Sequence, residues 1–373
     1  MNARRVLHIT PNYWPVIGGL ETFVHDLAIR QRAAGVDAQV LCLNRPSRRD
    51  PKQPAVDEHE GVPVRRIGFV DLKFYKPTIL PAWFLRSFDL LHVHTLGALL
   101  DATVLLKPVH RRPIIVSSHG GIFHTDSLRL VKSAYVNGPL RLTLAACRAA
   151  VASGPNDERL LRRLSRRAIR IPNGINLTDV LAIDRVSVDP FSLVFVGRLA
   201  RNKRVELLIN TLAELKKLDG RYTLDVVGPD FESLLPALRD RASSLGVESS
   251  VRFHGAVSRE RLVELLARAG VCVSASRYEG FGLAAVESIA AGCLPVLQRI
   301  EAFADLAAPD CLTDFEKPIE AARAIAALSM IDDSERRLRS DTCRAGVTRF
   351  DWNAIFPRWQ TLYDNVLRGL ETK

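Results

Sequence analysis

The 373-residue sequence is poor in anything that could staple it, carry it across a bilayer or wrap it round nucleic acid. Its six cysteines, at positions 42, 147, 272, 293, 311 and 343, form no Cys-x-x-Cys pair and have no histidine at zinc spacing. That excludes a zinc ribbon or a disulfide scaffold and predicts buried, reduced thiols of the kind found in the cytosol. The most apolar long stretch, 280–297, is interrupted by Glu287, glycines and Pro295, so no transmembrane helix is expected. Met1-Asn-Ala-Arg-Arg5 runs straight into strand-like Val6-Leu-His-Ile-Thr10 without an apolar leader, which predicts a chain that is not secreted. Despite a net charge of +11 there is no helix-turn-helix, zinc finger or aromatic-basic RNA motif, and nucleic acid is not an expected partner. Internal repeats and low-complexity tracts are also missing.

What remains is an ordinary apolar fraction of 47% in a chain long enough for two α/β domains. Strand-like runs at Val6–Thr10, Gln39–Leu43, Leu90–His94, Ile114–Ser117, Ala149–Ser153 and Ala168–Ile171 alternate with helical patterns. A second series follows at Leu193–Val196, Thr223–Val227, Val251–Phe253, Val271–Ser274 and Pro295–Leu297. Such alternation implies parallel sheets covered by helices on both faces. Pro172-Asn-Gly-Ile-Asn176 and a weakly patterned stretch up to Pro190 place a hinge near 172–190, and helices are expected over about 318–347 and 352–370.

The chemistry concentrates in Ser276-Arg-Tyr-Glu-Gly-Phe-Gly-Leu-Ala-Ala-Val-Glu-Ser288. A β-branched run precedes it and a helix from Leu283 to Ala291, closed by Gly292, follows, so the order is strand, glycine turn, helix. Gly280 and Gly282 let a phosphate or polar sugar approach the backbone N–H groups at the positive end of that helix. Glu279 in the loop and Glu287 one turn into the helix can both accept hydroxyl hydrogen bonds from one elongated ligand, although a solvated helix face would also explain Glu287.

Other turns repeat the pattern. Gly18 and Gly19 open the first helix, where Leu20, Phe23, Val24 and Leu27 recur at helical spacing, and a glycine pair there admits an anion or serves the turn alone. It is neither a dinucleotide fingerprint nor a P-loop. Arg198 and Lys203 lie between a strand and the amphipathic helix Val205–Leu218, placed to meet a phosphate or simply to be solvated. His119 ends a strand and precedes Gly120-Gly121, at the edge where α/β sheets bind ligands. His92 and His94 share one strand face, with no third ligand at metal spacing.

The glutamate pair around Gly-Phe-Gly, with the tail Ala290-Ala-Gly-Cys-Leu-Pro-Val296, resembles the donor motif of retaining glycosyltransferases of family 4, and the likeness covers nearly the whole chain. It implies the α/β GT-B fold, two Rossmann-like domains with parallel sheets facing a central cleft. The corresponding boundaries are 1–175 for the acceptor and membrane-facing domain, 176–351 for the nucleotide-sugar domain and 352–373 for a helix crossing back. The resemblance implies that His119, Arg198, Lys203 and Glu279 are catalytic. It likewise assigns donor binding to Gly18, Gly19, Gly280, Phe281, Gly282, Leu283 and Glu287, and leaves His94 as an acceptor contact. No cofactor or metal is expected beyond the sugar nucleotide, in keeping with the lack of an Asp-x-Asp pair. An epimerase using the same nucleotide site is the alternative.

The chain departs from the family pattern at Arg204, where glycine is commoner, at Asn176, where aspartate is usual, and at Gln298-Arg-Ile-Glu-Ala-Phe303. The last variant resembles mannosyltransferases that extend lipid-linked oligosaccharides for exopolysaccharides of the xanthan and acetan type. A GDP-mannose donor and a lipid-linked oligosaccharide acceptor are the implied partners. Residues 1–186 carry 27 Lys and Arg against 15 Asp and Glu, whereas residues 187–373 carry 25 against 26. The excess, with the aromatic and basic segment 73–86 and the arginines at 159, 162, 163, 166, 167 and 170, suggests an anionic membrane surface as a further partner and a peripheral position on the inner face of the plasma membrane.

Overall fold

Among the described residues there are fourteen strands, most of them arising from apolar runs whose burial follows from parallel pairing, which leaves both faces covered by helices. The computed structural model describes residues 4–16, 18–72, 75–120, 129–185 and 187–370. It divides into two compact units, Met1–Gly174 with Ile355–Lys373, and Ile175–Ala354.

The first unit holds β1 (Arg5–Thr10), β2 (Asp37–Leu43), β3 (Val56–His59), β4 (Val62–Ile67), β5 (Leu90–Val93), β6 (Ile114–Ser118), β7 (Ala149–Ala152) and β8 (Ala168–Arg170). They form one sheet in the order β3-β4-β2-β1-β5-β6-β7-β8, parallel except for the β3–β4 hairpin. That hairpin escaped the sequence reading because β3 is an edge strand whose residues are exposed or half-buried, so it lacks an apolar signal. The last helix, Trp352–Leu367, rejoins this unit at Ile355 and buries Trp359 and Tyr363 there.

The second unit holds β9 (Asp189–Val196), β10 (Thr223–Val227), β11 (Val251–Gly255), β12 (Ala269–Ser274), β13 (Leu294–Gln298) and β14 (Leu312–Thr313), all parallel, in the order β11-β10-β9-β12-β13-β14. Where its chain enters and leaves, Ile175 and Trp352 are clipped side by side: Ile175 N–H donates to Phe350 O at 2.9 Å, Trp352 N–H to Ile175 O at 3.1 Å and Leu177 N–H to Asp351 Oδ2 at 3.2 Å.

Both sheets reverse their winding direction once, between β1 and β5 and between β9 and β12. Loops leaving the carboxyl ends of such strand pairs diverge to opposite sides and leave a crevice. Beside the second reversal the backbone is tight, for Gly228 has φ +138° and a Cβ there would lie 2.1 Å from Gly197 O. Gly228→Ala is therefore expected to cost at least about 2 kcal/mol of stability. Gly220→Ala, where a Cβ meets nothing within 4 Å, should shift the urea midpoint little. Equal midpoints for the two variants would contradict this account.

Candidate functional site

In the second unit, the loops after β9 and β12 meet at the reversal. Arg277 N–H donates to Asn202 O at 2.8 Å and Asn202 Nδ2 to Tyr278 O at 3.4 Å, which zips the two loops together. Lys203 Nζ then donates to Glu279 Oε1 at 2.5 Å, with both side chains mostly buried. Arg204 adopts the left-handed conformation, φ 51° and ψ 46°, which explains why glycine suits this position. Its side chain supplies contacts a glycine lacks, from Nε to Ala275 O at 2.8 Å and from Nη1 to Glu316 Oε1 at 2.5 Å. Arg198 is exposed, with its guanidinium 4.6 Å from the Phe231 ring centroid.

Gly282, at φ +96°, is the N-cap of the helix Leu283–Ala290 and makes no side-chain capping bond. A Cβ on it would come within 3.0 Å of Phe303 and Leu306, so a side chain is excluded by conformation and by packing. The first-turn N–H groups have no cap side chain covering them, the arrangement that accepts an anion. Glu287, one turn on, is held by Arg259 Nη1 at 2.6 Å. The same guanidinium grips Asp179 through Nε at 2.5 Å and Nη2 at 2.8 Å. Burial raises the Glu287 carboxyl above its usual range, and Arg259 opposes that rise. Neither Asp179 nor Arg259 is legible in the sequence as a partner of Glu287, because three separate segments meet only on folding.

In the first unit, Gly18 is the extended N-cap of the helix Gly19–Ala33 and His119 follows β6. Phe23 from that helix lies 4.8 Å from the His119 ring, so the glycine pair and the histidine share one neighbourhood. Gly121 lies outside the described residues. Behind His119 stands a row of buried imidazoles, with β1 and β5 in the register that pairs His8 with His92. His119 Nδ1 pairs with Asn173 Oδ1 at 3.1 Å and its Nε2 with His94 Nδ1 at 3.4 Å. His94 Nε2 meets His8 Nδ1 at 2.9 Å, and His8 Nε2 meets Gln31 Oε1 at 2.7 Å. His92 is bonded to Tyr363 and Ser117, each at 2.7 Å. His94 is thus buried behind His119, both its nitrogens engaged. His8, which the sequence reading missed, is the third imidazole beside His92 and His94. It sits on a strand far away in sequence.

Among the described residues, two groups have ligating atoms close enough to share a cation: His8, His92 and His94, and half-exposed His25 and His59 with exposed Glu60. In the first, every ring nitrogen already has a side-chain partner, which a cation would have to displace. In the second, His25 bridges Tyr13 Oη at 2.6 Å and Glu60 at 3.1 Å.

Burial lowers His8 and His119 to about 4 and His94 well below 6.5. Because the folded state disfavours their protons, their stabilisation is fully present above pH 6.5, the unfolded value, and is lost as pH falls from there toward 4. At pH 5 each histidine that stays neutral should cost roughly 2 kcal/mol of stability relative to pH 7.5. Urea unfolding at the two pH values measures this, and equal stabilities would contradict it.

Residues 17–179 match the family model "Glycosyltransferase Family 4", and residues 183–342 match "Glycosyl transferases group 1". The chain is 34% identical to a GDP-mannose:cellobiosyl-diphosphopolyprenol alpha-mannosyltransferase of Komagataeibacter xylinus, over 97% of this chain and 93% of that one. It is 31% identical to a protein of the same description from Xanthomonas oryzae, over 97% of each. Among solved structures, sucrose-phosphate synthase from Thermosynechococcus elongatus aligns with a TM-score of 0.74 at 20% identity, covering 98% of this chain and all of that one.

Proposed function

Since the chain belongs to the family 4 glycosyltransferases of GT-B fold, we propose that it transfers mannose, with retention, from GDP-mannose to a diphosphopolyprenol-linked sugar. The observation carrying this reading is the Lys203–Glu279 pair at the strand-order reversal, beside the uncapped helix start at Gly282. A diphosphate needs cations and N–H donors, and a hexose needs a carboxylate within reach of its hydroxyls; this crevice offers all of them. In this reading Lys203 and Arg198 stabilise the charge that grows on the leaving phosphate. The backbone of Phe281, Gly282 and Leu283 and the side chain of Glu279 hold the sugar. Glu287, steadied by Arg259, accepts the ribose hydroxyls. Gly19 N–H and His119 serve the diphosphate and the sugar respectively. The bond from C1 to the phosphate oxygen breaks as the acceptor oxygen bonds to C1 on the same face, and the acceptor proton passes to the leaving phosphate. Two fixed cations beside the phosphate allow this charge to be balanced without a metal.

Lys203→Ala is expected to lower turnover at saturating donor by more than about tenfold, because charge stabilisation increases toward the transition state. Glu287→Ala should weaken GDP-mannose and GDP equally, whereas Glu279→Ala should weaken only the sugar nucleotide. A transfer assay with calorimetric titration of both ligands measures these effects. Unchanged donor affinity in Glu287→Ala, or activity lost to a chelator and restored by Mg²⁺, would sink this assignment.

A lipid-linked acceptor also requires the enzyme to work at a membrane surface. No helix among the described residues is long and apolar enough to cross one. Instead, Ile79 is 93% and Trp83 74% exposed, with Arg86 stacked 5.8 Å from the Trp83 ring. Exposed aromatic and aliphatic side chains among cations suit a lipid interface. Lys73 and Phe74 of this segment lie outside the described residues. Of the arginine series, Arg162 and Arg170 share Glu158, and Arg167 donates to Ala145 O and Cys147 O. Arg163 and Arg166 are exposed with no ion pair among the described residues, and are the better candidates to face phosphate headgroups. Ile79→Ser with Trp83→Ser, or Arg163→Glu with Arg166→Glu, should reduce sedimentation with anionic vesicles several-fold while donor hydrolysis persists. Equal sedimentation of wild type with neutral and anionic vesicles would overturn the electrostatic part.

A further inference from the structure

The row Gln31–His8–His94–His119–Asn173 contains a proton-counting conflict. Four hydrogen bonds link three imidazoles to two amide oxygens. Each link needs one proton, and three neutral imidazoles supply only three. One imidazole is charged, or the longest link, His94 Nδ1 to His119 Nε2 at 3.4 Å, carries no proton, or one terminal amide is turned round, and only the last keeps all four bonds among neutral rings. A buried charge is disfavoured, and the rings that face the row bring no compensating carboxylate: Phe23 packs on His94 and His119, and His92 packs on His8 and His94 while bonding Tyr363 and Ser117. Asp157, the carboxylate on the backbone beside His119, accepts the Gly120 N–H instead.

The amide to turn is identified by an orphan. Gln31 Nε2 is buried and makes no well-formed hydrogen bond, its polar neighbour being the Tyr363 hydroxyl, while its oxygen faces His8. Turning the amide makes Nε2 the donor to His8 Nε2 and brings the oxygen to the side of the Tyr363 hydroxyl, which can donate to it. The directions then follow without further choice. His8 donates from Nδ1 to His94 Nε2, His94 from Nδ1 to His119 Nε2, and His119 from Nδ1 to Asn173 Oδ1.

We propose that Gln31 is a positioning residue which, acting through His8 and His94, sets the tautomer of His119, so that His119 Nε2 presents a lone pair. The link from His94 to this nitrogen is the longest of the row at 3.4 Å. It is the one a hydroxyl donor of the sugar would displace. This last point rests on the reading that His119 meets the donor sugar, but the tautomer itself does not.

The test uses the full-length protein with ¹⁵N-labelled histidine, without any donor, at about pH 8, so that the result is independent of what His119 binds. Nitrogen–proton correlation spectra distinguish the two neutral tautomers from imidazolium, and single His→Gln variants assign the signals. Wild type should show His8, His94 and His119 all protonated at Nδ1. In Gln31→Glu a carboxylate of the same shape can only accept, so His8 must donate from Nε2: with Asn173 Oδ1 still accepting, the extra proton makes His8 an imidazolium, and if Asn173 turns instead, all three rings take the Nε2–H form. Nε2–H or imidazolium at His119 in wild type overturns the proposal whether or not the variant folds. So does a folded Gln31→Glu in which His8 Nε2 carries no proton.

Discussion

The structure depends on a topological constraint, the single reversal of winding in each parallel sheet. Parallel strands need crossover helices, and where successive crossovers go to opposite faces, the loops at the carboxyl ends of two neighbouring strands cannot cover one another. At β9 and β12 the uncovered space receives the Gly197–Lys203 and Ala275–Gly282 loops. The glycines at 197, 228 and 282 let backbone approach backbone or aromatic rings there more closely than any side chain permits. The chemistry of the site is thus carried by short loops fixed to buried strands.

At the candidate site of the second unit, charged side chains neutralise one another. Lys203 is held by Glu279, and Glu287 shares Arg259 with Asp179. Such pairing keeps partly buried charges from standing alone, a costly condition. The first unit solves a similar problem without charge, by linking neutral imidazoles between amides, with Tyr363 from the final helix fixing His92.

Much of the architecture was legible in the sequence because parallel strands buried on both faces read as continuous apolar runs. β6 and β12 are buried throughout and apolar up to their closing serines, and their ends lie within a residue or two of the runs at Ile114 and Val271. Polar edge strands such as β3 gave no such signal, and two-residue β14 was too short to give one. The helix Leu283–Ala290 stops where Gly292, at φ +91°, can close it, as the glycine predicted.

By itself, the sequence determined the local chemistry: a glycine turn after a strand, the glutamates at 279 and 287, the cations at 198 and 203, and the family to which that motif belongs. These are short-range patterns, set by backbone conformations that few residues can adopt. Only the tertiary structure decided that Lys203 pairs with Glu279, that Arg259 and Asp179 stand behind Glu287, and that Gln31, His8 and His94 stand behind His119. Those partners come from separate segments brought together by strand register and strand order, and no local periodicity encodes a contact of that range.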